Sequence, residues 1–119
     1  MTLGGHEAPV GSVAYSPNGK LIASTGSDDM LIKLWDAETG RELRTFRGHQ
    51  GMVMSMGFSP DSKRIVSGSF DRTIKVWSVE SGLEVITLRG HAYQVVSVVF
   101  TPDGKHIISG STDKTIKVW

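Results

Sequence analysis

A chain of 119 residues with 13 basic and 12 acidic side chains carries a net charge of +1, so no global field draws it to nucleic acid or anionic lipid. It has no cysteine, which excludes disulfides, thiolate chemistry and cysteine-ligated metal. No stretch approaches the ~20 apolar residues of a membrane span, and residues 1–5 lack the order of a signal peptide, so the cytoplasm is the expected compartment.

The chain is organised as one segment, 1–119, of repeats at about 5–47, 48–89 and 90–119. Trp35, Trp77 and Trp119 recur every 42 residues, each with a Gly-His pair ahead of it: Gly5-His6, Gly48-His49 and Gly90-His91. A period in the forties marks a repeat architecture in which no single repeat buries its own apolar face. Residues 48–77 and 90–119 are identical at 18 of 30 ungapped positions, and the first repeat matches with one extra residue between Lys20 and Asp29.

In chain order, a strand at 10–16 ends in Ser16-Pro17, and Asn18-Gly19-Lys20 makes a tight turn. A second strand follows at 21–25 and a β-branched third at 31–35; the turn at 37–40 then leads to a fourth at 41–47. The second repeat places the same strands at 53–59, 64–68, 73–77 and 83–89, and the third at 95–101, 106–110 and 115–119. Helical periodicity is absent, so the reading is all-β, in four-stranded antiparallel sheets. Strict alternation in the first strand puts Val13 and Tyr15, Met54, Met56 and Phe58, and Val96, Val98 and Phe100 on a bulky face. Val10, Val53 and Val95 then fall on the opposite, smaller face, and such sheets stack radially. Met52, Met54 and Met56 are expected mainly as core filling.

Four positions recur at constant offsets: His6, Thr25, Asp29, Trp35; His49, Ser67, Asp71, Trp77; His91, Ser109, Asp113, Trp119. Histidine, hydroxyl and carboxylate invite a catalytic-triad reading, but a nucleophile is needed once and this set occurs three times. A bond chain from carboxylate through imidazole and hydroxyl to the indole N–H would satisfy every buried polar group and pin the loop to two strands. In the first repeat, counting back from Asp29 gives Thr25 and counting forward from Lys20 gives Ser24. Thr25 is the expected member, with a β-bulge in the second strand absorbing the extra residue.

With the Gly-His pairs and strings such as Ser67-Gly68-Ser69-Phe70-Asp71-Arg72-Thr73-Ile74-Lys75-Val76-Trp77, the whole chain resembles the WD-repeat β-propeller family. The Trp-Asp dipeptide survives only as Trp35-Asp36; the second repeat has Trp77-Ser78. The resemblance implies a propeller of about three blades per chain, no catalysis, no cofactor or metal, and protein partners bound on the face of the Gly-His loops. Asp28, Met52, Phe70, Tyr93 and Thr112 are the positions this implies for an unidentified protein or peptide, with the aromatic pair as anchors. Arg41, Arg44, Arg47, Lys63 and Arg64 read as a solvated rim rather than a nucleic-acid surface.

Three blades cannot close a ring. An open wedge would expose two blade faces, on the order of 700 Å² of largely apolar surface, more than soluble monomers show. Closure by other copies is therefore expected, as a homotrimer of nine blades in preference to a homodimer of six. Residues 2–6 align with 87–91, so the amino-terminal stretch of one copy is expected beside the last strand of the next. The alternative is an excised or engineered self-assembling propeller fragment with no native ligand.

Overall fold

The computed structural model describes all 119 residues. Four strands, β1 (Val10–Tyr15), β2 (Leu21–Gly26), β3 (Ile32–Asp36) and β4 (Glu42–Phe46), form the first sheet, paired antiparallel in sequence order. The second sheet repeats the arrangement with β5 (Val53–Phe58), β6 (Arg64–Ser69), β7 (Thr73–Ser78) and β8 (Glu84–Arg89). The third contains β9 (Val95–Phe100), β10 (Ile107–Ser111) and β11 (Ile116–Val118).

The turns explain the recurring polar residues. Ser16, Ser59 and Thr101 donate their hydroxyls to Asn18, Asp61 and Asp103 at 2.6–2.7 Å, and the same side-chain acceptors take the amides of Lys20, Lys63 and Lys105. Each hairpin thus closes on itself through Asx-type bonding. Asp36 Oδ1 accepts the amides of Glu38 and Thr39, both at 2.9 Å, which caps the turn into β4. Ser78 Oγ accepts the Ser81 amide at 3.2 Å, so the loss of the Trp-Asp aspartate in the second repeat leaves a working cap.

The innermost strands depart from strict alternation. Register shifts fall between Val10 and Ser12, between Val53 and Ser55, and between Val95 and Ser97. Each is a β-bulge: one extra residue opposes the neighbouring strand, and every side chain before it moves to the other face. Val53 and Met56, expected on opposite faces, are therefore buried in one cluster, and so are Val95 and Val98.

Two apolar cores lie between the sheets. Ala23, Ile32, Leu34 and Phe46 of the first blade meet Val53, Met56, Ile65 and Trp77 of the second. Val66, Ile74 and Val76 of the second meet Val95, Val98 and Ile107 of the third. The middle blade is covered on both sides. The outer face of the first blade leaves Val10, Val13 and Tyr15 exposed, and that of the third leaves Ile116 and Val118 exposed.

Candidate functional site

The histidine, hydroxyl, carboxylate and indole of each repeat converge. His49 Nδ1 lies 2.8 Å from Asp71 Oδ2, His49 Nε2 lies 2.6 Å from Ser67 Oγ, and Trp77 Nε1 donates to the same oxygen at 2.9 Å. The third blade repeats this with His91, Asp113, Ser109 and Trp119 at 2.8, 2.7 and 2.8 Å. Donor chemistry orders the protons: an indole only donates and a carboxylate only accepts. With a neutral imidazole, serine gives its own proton to Nε2, and Nδ1–H donates to the aspartate.

The first blade corrects one expectation. Ser24, not Thr25, takes the Trp35 indole at 2.8 Å and meets His6 Nε2 at 2.6 Å, while His6 Nδ1 lies 2.8 Å from Asp29. Ser24 pairs with Lys33 across the ladder as Ser67 pairs with Lys75, so β2 carries no bulge against β3. The extra residue sits in the β2–β3 turn. A loop absorbs one residue at small entropic cost, whereas a slip in the ladder would turn every later side chain to the wrong face. The longer turn folds Asp29 back over Gly26, where a Cβ would come within 2.2 Å of the carboxylate. Thr25 is fully buried, and its Oγ1 has no hydrogen-bond partner.

The aspartates are all held below the ordinary carboxylate range. Burial alone would raise the pKa of Asp71, but bonds from His49, Thr73 and the Gln50 amide outweigh it and hold the group well below the usual range. For Asp113 the Thr115 hydroxyl leads, with burial opposing and His91 and the Ala92 amide reinforcing. Asp29 is lowered too, by His6 and the Leu31 amide against burial. It lacks the flanking hydroxyl because Leu31 stands where Thr73 and Thr115 stand.

The bond order Asp–His–Ser matches that of a nucleophile triad. Access differs. The three serines are buried, each oxygen already accepts an indole N–H, and the one cavity touching a network, 90 Å³ beside Asp71 and Thr73, is not lined by Ser67. The geometry performs a fastening role: each network ties the loop before the first strand, the second strand, the third strand and the turn between them.

The positions marked for partner binding lie around these fastenings. Phe70 and Tyr93 are exposed at 40% and 55%, and Asp28 and Thr112 are exposed as well. Met52 is half-buried, and its carbonyl accepts the Phe70 amide at 2.9 Å, which brings those two loops together. The Thr112 amide bonds the Gln94 carbonyl at 3.1 Å, tying the corresponding loops of the third blade. Asp28 stands apart on the first blade. Sequence reasoning missed Arg72, whose guanidinium carbon sits 5.8 Å from the centre of the Tyr93 ring and bridges two blades. Its signal was positional: Met30, Arg72 and Lys114 each follow a network aspartate and each has positive φ.

The lysines of the third strands and the outer-strand acids are also functional to the fold. Lys33 pairs with Glu42 at 2.6 Å and Lys75 with Glu84 at 2.7 Å, and each lowers its partner's pKa through that bond. Arg44 donates to the carbonyls of Glu80 and Ser81 on the next blade, so this cation joins blades rather than only guarding an edge. Ser16 and Ser59, each followed by proline, are buried and engaged in their hairpins.

A family model described as "WD domain, G-beta repeat" matches residues 1–36, 40–78 and 82–119. Over 67 residues, 56% of this chain, the sequence is 37% identical to guanine nucleotide-binding protein subunit beta-1 of Caenorhabditis briggsae. The match takes in 19% of that relative's length.

Proposed function

The chain belongs to the WD40-repeat family, and from that premise we propose that it is a non-enzymatic protein-interaction scaffold whose copies associate into a closed propeller. Phe70 and Tyr93 carry the first half of the reading. Two aromatics stand exposed on one loop face, on backbone that the networks and the Arg72 contact hold in place. Rigid aromatic anchors of this kind concentrate interface energy because little entropy is lost on binding. Asp28, Met52 and Thr112 frame them. The relative, by its name, is itself a subunit of a larger assembly, which agrees with this class of role.

The open faces of the first and third blades support self-association; the copy number we propose is three, giving nine blades, in preference to two, giving six. They also favour the second reading, a self-assembling propeller piece without a native ligand. One comparison separates the two. Wild type and a Phe70→Ala/Tyr93→Ala variant serve as baits in parallel pull-downs, with the mass of each measured by light scattering. The scaffold reading expects unchanged mass and loss of specific prey in the variant. Equal prey on both baits would sink it and leave the ligand-free reading.

A further inference from the structure

We infer that the open face of the third blade receives the open face of the first blade of a second copy, head to tail, with Gly110 seating that copy's Val10 and Val13. The inference rests on the self-association proposed above and specifies its surfaces and polarity.

The chain already builds this contact once. Between the second and third blades, Val66, Ile74 and Val76 pack on Val95 and Val98, and Gly68 makes the space: a Cβ there would lie 2.6 Å from Val95 Cγ1 and 2.8 Å from Val98 Cγ1. The third blade carries the same donor face. Ile108 pairs with Val118 and Gly110 with Ile116, as Val66 pairs with Val76 and Gly68 with Ile74. Around Gly110 nothing lies within 4 Å of a Cβ.

The first blade carries the matching acceptor. The bulge at Gly11 puts Val10 and Val13 on one face, as the bulge at Val96 does for Val95 and Val98. Here both valines stand exposed, Val13 at 67%. The remaining interblade contact uses a different fit, with Thr25 in the place of Gly68 and Val53 and Met56 in the places of the two valines. A bare glycine and two valines are thus both present, unoccupied, on opposite ends of one chain, and neither set of packing residues is charged. Because the two halves differ, the contact is heterologous rather than self-complementary.

Residues 1–3 add a second match. A Cβ on Gly40 would meet Leu3 Cδ2 and Met1 Sδ, both at 2.6 Å, just as a Cβ on Gly82 would meet Arg44 Nη1 at 2.9 Å. Met1 and Leu3 therefore lie against the first blade as the outer strand β4 lies against the second. Docking lays them along the open edge of β11, with Thr2 opposite Lys117 in the register that sets Thr87 opposite Lys75.

The test uses two full-length variants, Gly110→Val on one face and Val13→Asp on the other, each alone and mixed one to one, with mass by light scattering. Wild type is expected at a multiple of 12.9 kDa and each variant alone at 12.9 kDa. The mixture is expected at twice 12.9 kDa and no higher, since each chain keeps one competent face. If wild type associates and Gly110→Val associates equally, the head-to-tail surfaces are wrong while self-association stands. A wild type that stays monomeric at micromolar concentration overturns both. Cysteine cross-linking covers any variant that fails to fold, because the chain has no cysteine of its own. Thr2→Cys/Lys117→Cys should form disulfides between copies, and cross-linking by either single variant alone would overturn the polarity.

Discussion

Ser24 and Thr25 are neighbours of similar chemistry with opposite consequences for stability. Ser24→Ala leaves the Trp35 indole N–H and the His6 Nε2 lone pair without their shared partner, both in the interior. A buried donor or acceptor left unpaired costs about 1–3 kcal/mol, so the two together amount to about 2–6 kcal/mol. That is a large share of a net stability of about 5–15 kcal/mol. Thr25→Val removes a hydroxyl that bonds nothing and puts a methyl group of similar size in its place. Its expected effect lies between no change and a gain of about 1 kcal/mol, from relief of the unpaired hydroxyl. Urea unfolding followed by tryptophan fluorescence, at one protein concentration because association shifts the midpoint, measures both. Ser67→Ala in the second blade should behave as Ser24→Ala does. A Thr25→Val loss larger than the Ser24→Ala loss would refute the assignment and return the network to Thr25.

The depressed pKa values of Asp29, Asp71 and Asp113 make folding acid-sensitive in a definite direction. A carboxylate lowered in the folded state stabilises it fully above its unfolded pKa, here 3.8, and that stability is lost as pH falls from there through the folded value. Through these carboxylates the urea midpoint should fall steadily as pH drops below about 4; a midpoint that rises on acidification through that range would contradict the bonding described. Gly68→Ala forces a methyl group against Val95 and Val98, with an expected cost of about 1–3 kcal/mol in urea unfolding. A neutral result would mean the second and third blades are not packed as described.

The strand order, the turn positions and every network member except the first repeat's hydroxyl were legible because each rests on local chemistry repeated at one period. Three features escaped for physical reasons. Alternation counts residues, and a β-bulge adds one without any consistent residue type: Gly11, Met54 and Val96 occupy the bulged positions. Ser24 and Thr25 both carry a hydroxyl, so composition could not separate them. The deciding fact is energetic: an extra residue is tolerated in a turn far more readily than in a ladder. Arg72 escaped because its ring contact crosses blades; its place after a network aspartate marks a turn position and not the ring it reaches.

The three networks also bear on how one chain can offer varied chemistry on a single face. Each holds the residue before its aspartate and the residues after its histidine on backbone tied to two strands. Those flanking residues differ from blade to blade: Asp28, Phe70 and Thr112 precede the aspartates, and Glu7, Gln50 and Ala92 follow the histidines. The fastening residues keep their chemistry throughout, a hydroxyl of serine in all three blades. Where the backbone is held by buried bonds, a flanking side chain can change from acid to aromatic to hydroxyl without moving its neighbours. The same burial withholds the serines from any substrate. In this chain a triad's bond order therefore stabilises the frame, and the side chains that vary from blade to blade are those the frame leaves exposed.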